Sequence, residues 1–404
     1  MTVLSNYRQF DGLHWETGTV RNYFDYRGVK TPHTGQPYSE ALLMGVSGGA
    51  VMGYFVFAYK GYAPQVRILT RNTFDPFETM LQRLGVVQER QQTANPAKGV
   101  KNLLEALANG TPALVWVDMF GLPYAHQNRD EGIWHMYPVL VYGYDEAADR
   151  VYLADRARVG LTMTTGQLAE LRGRVKSVKH RVLTMDLPDP EKLPSAVQAG
   201  IEDCIKLYTE KPPKGARHNF GLAAYQKWAE MLTSPKKKGS WAKEFPPGSA
   251  LYAGLTSAFW DINIFGKEGQ AERNLYADFL DEASRILERP ALVSVARQFR
   301  TSATAWDDLS RALLPDWSRP LAETRELMLR QHRLFLDRGA ASLDERQALG
   351  DQLNLIRKQM AADFPLNEAE VTRLHAGIAE QVLRIHDIEA AAVAALGDAM
   401  AQGS

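Results

Sequence analysis

Three prolines within eight residues, in Leu187-Pro188-Asp189-Pro190-Glu191-Lys192-Leu193-Pro194, divide this chain into two textures. Proline has a fixed φ and no N–H to give, so such a run continues neither a helix nor a central strand. A domain boundary is expected there. At 404 residues the chain is long enough for two or three cores. The reading is a first domain over 1–187 and a second over 195–404.

Before the break, helix and strand signals alternate. Glu16 to Gly28 reads as a helix closed by glycine, and Ser39 to Val46 as a short helix before Gly48-Gly49. Ala50 to Tyr59 is aromatic-rich and strand-like. Asp75 to Leu84 and Ala97 to Asn109 read as helices, the latter stopped by Asn109-Gly110. Pro112 to Val117, Trp134 to Tyr144 and Arg150 to Ala154 read as strands, the last two joined by an acidic hairpin loop over 145–149. Such alternation suggests an α+β or α/β layer fold. After the break, strand signals fade. Ser195 to Thr209, Gly221 to Leu232, Ala271 to Leu287, Glu323 to Arg338, Leu343 to Phe364 and Leu366 to Met400 read as amphipathic helices. Asn367 and Glu370 have the spacing of a capping box.

Lysine plus arginine equals aspartate plus glutamate, 47 − 47 = 0, so bulk charge gives no reason to bind nucleic acid or an anionic membrane. The single cysteine, Cys204, builds no disulfide framework and points to a reducing compartment. No apolar run approaches the ~20 residues of a membrane helix, and the N-terminus has no signal-peptide core, so a cytoplasmic, soluble chain is expected. The histidines have no metal-ligand spacing, and no Walker-type or dinucleotide loop is present; no metal or cofactor is expected.

The informative segment is Gln9-Phe10-Asp11-Gly12-Leu13-His14-Trp15-Glu16, a polar loop feeding a helix start. Free N–H groups and partial positive charge at such a start favour an anion or thiolate. The second segment puts His135 ahead of one strand and Asp155 at the end of its neighbour. A carboxylate beside an imidazole fixes its tautomer and raises its basicity, as in a base–orienter pair. A histidine ahead of a buried strand is also explained by packing alone, and both readings stand.

At this point the residues resemble the butirosin biosynthesis protein H N-terminal family. The landmarks are His14-Trp15, Ser39-Glu40 with Gly45 to Gly49, Asp118 to Tyr124, His135 to Asp145, and Ala154-Asp155. Asn219 to Tyr225 and Arg273 to Leu280 are similar to the helical domain that follows in that family. The resemblance implies an α+β, papain-like cysteine-protease-type domain followed by an all-α domain. It implies acyl transfer from a carrier-protein thioester to an amine: a cysteine attacks, a histidine shuttles the proton and an aspartate orients the histidine. Carried over, the base is His135 and the orienter Asp155. Gln9, six positions before the nucleophile slot, stands where leader peptidases carry an oxyanion-stabilising glutamine. His14, Glu16, Ser47 and Tyr137 would line the pocket. The partners implied are an acyl carrier protein or a small-molecule amine, and the long helix Leu366 to Met400 leaves room for a homo-oligomer.

The departure is at the nucleophile. The slot holds Trp15, and indole offers one N–H and no nucleophilic lone pair. Cys204 lies in a helix beyond the linker, among packing residues. Thr17 and Thr19 fall in the first turns, where capping or back-bonding is the usual role, and Ser47 lies in a glycine-flanked turn. Two functions remain: a catalytically degenerate homologue that binds a ligand or partner in the old cleft, or an acyltransferase or amide hydrolase that uses His135 and Asp155 without a covalent intermediate.

Overall fold

Nine strands are described: β1 (Thr2–Val3), β2 (Ala50–Phe57), β3 (Gln65–Arg71), β4 (Gln88–Gln91), β5 (Ala113–Asp118), β6 (Met136–Asp145), β7 (Arg150–Ala154), β8 (Leu161–Met163) and β9 (Val182–Met185). They belong to a computed structural model that describes residues 2–57, 64–125, 136–265 and 269–401. The protein mixes helix and strand, with its sheets in the N-terminal region and helices through the C-terminal half, an α+β composition as the sequence suggests. No described helix is long and apolar enough to cross a membrane.

The chain divides into two compact units, each built from three segments. The first holds Met1–Glu40, Leu81–Lys192 and Arg330–Leu349; the second holds Ala41–Met80, Leu193–Leu329 and Gly350–Ser404. The passage at Lys192 falls in the proline-rich segment. The segments 41–80 and 330–349 each belong to the unit opposite to their chain neighbours, which a single boundary does not describe.

In the first unit a seven-stranded sheet runs β4-β9-β5-β6-β7-β8, with β1 also paired to β6, and every pairing is antiparallel. The central strand β6 is a nearly continuous apolar run, buried on both faces as such runs are. Its pairing with β7 begins only at Leu140 opposite Ala154. Pro138, which has no N–H to give, therefore stands outside that ladder, paired with Trp116 of β5 alone. The same early end leaves Asp155 beyond the last rung. The acidic loop turns tightly, with Asp149 in the left-handed region and the Asp145 carboxylate accepting from the Ala148 N–H. Helix Pro96–Ala108 starts on an Asn95 cap with proline in its first turn, and helix Thr165–Arg174 on a complete capping box of Thr164 and Gln167.

The second unit holds the β2–β3 hairpin and most of the helices. The helices expected near 195, 221, 271, 323, 343 and 366 are Leu193–Thr209, Gly221–Thr233, Arg273–Ile286, Arg319–Arg338, Leu343–Ala362 and Glu368–Ala401. Asn367 and Glu370 cap each other reciprocally. At the centre of this unit Glu389, fully buried, accepts from Arg273 Nε at 2.7 Å, Trp306 Nε1 at 2.9 Å, and the hydroxyls of Tyr208, Tyr225 and Ser302. Each of these groups donates to it, and against the upward push of burial the Arg273 charge and these hydrogen bonds hold the Glu389 carboxyl down at about 2.

Candidate functional site

The loop before the first long helix, Thr17–Tyr26, is anchored by aromatic rings at its start. Tyr7 stacks on Tyr142 of β6 at 4.3 Å and on Tyr26 at 5.4 Å, and Phe10 meets Tyr7 edge-on. Further along, the loop crosses the first helical turn at backbone contact. A Cβ on Gly12 would lie 2.0 Å from the Gly18 carbonyl oxygen, and one on Gly18 2.6 Å from the Gly12 backbone. Only two glycines permit this crossing. The Gly12 N–H donates to Asn22 Oδ1 at 2.9 Å. Glu40 ties both ends: it accepts the Leu13 N–H at 2.8 Å and the Thr17 hydroxyl at 3.0 Å.

His14, Trp15 and Glu16 are the turn this frame presents. His14 is buried, and its ring lies 3.9 Å from the Trp15 ring at an interplanar angle of 33°. Its Nδ1 accepts the Glu16 N–H at 3.2 Å. Trp15 is half-buried, and its carbonyl accepts the Thr19 hydroxyl at 2.7 Å, the back-bonding role expected of Thr19. The Trp15 ring faces Tyr137 of β6, 6.5 Å away between centroids.

Tyr137 leads to Asp155. The carboxylate is 2 % exposed and fully engaged on one oxygen. Its Oδ2 accepts the Tyr137 hydroxyl at 3.0 Å, the Tyr124 hydroxyl at 3.1 Å and Arg156 Nη2 at 3.3 Å; its Oδ1 accepts Arg156 Nε at 2.9 Å. Arg156 also donates to the Tyr137 oxygen and lies over the Tyr137 ring, 4.7 Å from its centroid. Burial, with the Asp155 charge and against the Arg156 charge, holds both phenols protonated well above their ordinary range, so Tyr124 and Tyr137 act as hydrogen-bond donors. The Asp155 charge raises the Arg156 pKa against the opposing effect of burial.

His14, Trp15, Tyr137 and Asp155 are thus joined in one chain of contacts. His135 lies outside the described residues. Gln9 accepts the Arg8 N–H on its own Oε1 at 2.9 Å. Ser47 belongs to the second unit, where its buried hydroxyl donates to the Met44 carbonyl at 2.7 Å. Cys204 is also in the second unit; its thiol is fully buried, within 3.3 Å of the Ala50 carbonyl, and burial pushes it up to about 12. A thiol so held is no nucleophile. Sequence reasoning did not single out Arg156 or the phenol of Tyr124. Arg156 had one local signal, an arginine directly after the aspartate that ends an apolar strand.

The arrangement holds a carboxylate, two neutral phenols and a guanidinium in fixed register beside an indole. It offers an aromatic face and donors, and no nucleophile among the described residues.

Residues 14–156 match the family model of butirosin biosynthesis protein H, N-terminal, and residues 169–327 match that of a domain of unknown function, DUF4872. No curated protein matches the chain.

Proposed function

We propose, from the premise that residues 14–156 of this chain belong to the butirosin biosynthesis protein H N-terminal family, that it is a catalytically degenerate member which binds a ligand or partner in biosynthesis. In this reading the first unit keeps a papain-like frame, and its cleft serves as a binding site with Trp15 capping the acyl position. The family's scheme needs a cysteine at the helix start and an aspartate free to orient a histidine. Here the slot holds an indole whose ring lies 3.9 Å from that of His14. The observation that carries the reading is the second one: among the described residues Asp155 accepts four hydrogen bonds on its two oxygens, from Arg156, Tyr124 and Tyr137. A carboxylate whose charge is balanced by an adjacent guanidinium has little left with which to stabilise an imidazolium. An acyl carrier protein or a small-molecule amine is the occupant that the family's chemistry suggests.

The test is intact-mass analysis of the full-length protein after exposure to acetyl-pantetheine, beside a Trp15→Cys variant. The natural protein is expected to gain no acyl group and to leave the thioester unhydrolysed. The variant is expected to gain one acyl group at residue 15. Acylation of the natural protein, or thioester turnover lost on replacing His135 or Asp155, overturns the degenerate reading in favour of an enzyme that uses His135 as general base.

A further inference from the structure

We infer that Phe335 and Arg346, which lie beyond both matched family regions, are positioning residues of the Asp155 cluster; the inference rests on the reading of that cluster as part of the functional cleft. Both come from Arg330–Leu349, the segment that belongs to the first unit while the chain on either side belongs to the second. It comprises the end of helix Arg319–Arg338, the turn Gly339–Ser342 and the start of helix Leu343–Ala362.

This hairpin docks at short range on the chain that follows Asp155. The Arg158 N–H donates to the Leu336 carbonyl at 2.8 Å, and the Arg158 guanidinium meets Asp337 at 2.8 Å. Gly339 sits at φ +49, and a Cβ there would lie 2.6 Å from Leu161 and 2.8 Å from Val159. The Ser342 hydroxyl closes the turn on the Gly339 and Leu334 carbonyls and accepts Arg346 Nε at 3.0 Å.

From that anchorage two side chains reach the cluster. The Phe335 ring lies under two guanidinium groups, with Arg156 at 5.6 Å and Arg346 at 5.2 Å from its centroid. Arg346, 2 % exposed, donates to the carbonyls of Tyr124, Ala125 (3.2 Å) and Gly339 (3.4 Å). Its acceptors are all neutral, and burial without a counter-charge pushes its pKa down to about 10. A cation held this way is costly to bury and is stabilised by carbonyl dipoles and an aromatic face. The consequence is positional. Arg346 fixes the backbone of Tyr124, whose phenol sits on Asp155. Phe335 supports Arg156, which holds the same carboxylate and the Tyr137 ring. One series of neighbouring rings and guanidiniums then runs His14, Trp15, Tyr137, Arg156, Phe335, Arg346.

The experiment uses the full-length protein with ¹³C-labelled tyrosine, the signals of Tyr124 and Tyr137 assigned from Tyr124→Phe and Tyr137→Phe. Arg346→Lys is expected to move the Tyr124 signal and Phe335→Leu that of Tyr137. Tyr23, whose hydroxyl sits on Met185, is expected to stay. Phe335→Tyr, which keeps the ring, is expected to restore the Tyr137 signal. A second arm titrates acetyl-pantetheine against Trp15 emission, taken as the difference from Trp15→Phe. Phe335→Leu is expected to bind about tenfold more weakly, as small misplacements cost, with Phe335→Tyr near the parent. If the parent does not bind, the functional reading fails and the tyrosine signals still decide the inference. Unmoved Tyr124 and Tyr137 signals in both variants overturn the positioning role, whatever the binding arm shows.

Discussion

Replacing Asp155 with asparagine removes one charge from a pair that has almost no water around it. Asp155 is 2 % exposed and Arg156 7 %. An unpaired buried cation costs about 3–5 kcal/mol. Two features hold the loss near the lower end. Arg156 keeps its place over the Tyr137 and Phe335 rings, contacts worth roughly 0.5–2 kcal/mol. The asparagine carbonyl can still accept one N–H or phenol. The expected loss is therefore about 3 kcal/mol, which in a unit of this size lowers Tm by roughly 6–12 °C. Differential scanning calorimetry reads it on the transition that follows the first unit. Arg156→Met added to Asp155→Asn removes the orphan cation and is expected to recover part of the loss, since the cost lies in the unpaired charge. A single variant within about 2 °C of the parent would refute the reasoning, because the carboxylate would then be exchanging its partners for water at little cost.

Four further outcomes are expected. Glu389→Gln removes the charge that balances Arg273 and puts an N–H₂ where a carboxylate oxygen accepted hydrogen bonds, so the second unit should lose about 3–5 kcal/mol in a urea titration; a loss under about 1 kcal/mol would contradict the buried network. Because the Glu389 carboxyl sits at about 2 against an ordinary 4.5, its contribution is complete above pH 4.5 and is lost as pH falls through 2, which acid titration of Tm in the parent and in Glu389→Gln would separate. Gly12→Ala forces a methyl onto the Gly18 carbonyl and should cost at least about 1–3 kcal/mol, as overpacking does, with a neutral result showing that the loop and helix do not cross at contact. Cys204, with its thiol pushed up to about 12, should resist maleimide near neutral pH until the protein is unfolded; rapid native labelling would place it at the surface.

Much of the element order was legible because it rests on local physics. Helix Pro96–Ala108 carries its own cap and stop, and β6 and β7 flank a loop of turn-forming residues. Strand β4 was not legible. Gln88-Glu89-Arg90-Gln91 has no apolar alternation and becomes a strand only because β9 offers it an edge. The three residues of β8 are too few to carry a period. Strand β3 does carry one: Val66, Ile68 and Thr70 are buried alternates of Gln65–Arg71. Of the residues that meet here, Asp155 was singled out by its place at the end of a strand beside a histidine, and Trp15 and Tyr137 by the family resemblance alone. Nothing local ties Arg346 to Tyr124, 222 positions away.

By itself the sequence determined many of the pieces: the helices near 17, 97, 195, 221, 271, 323, 343 and 366, though not Thr165–Arg174, Ser249–Asn263 or Ala291–Leu313, that strands crowd the first half, and that no thiol stands at the helix start. These follow from short-range rules of capping, periodicity and residue chemistry. Only the tertiary structure decided that Asp155 is bound to Arg156 and two phenols. It also decided that residues 330–349 join the first unit. The physical reason is that a buried charge must find its partners in space, and those partners are chosen by how the chain packs and leave no periodic trace along it.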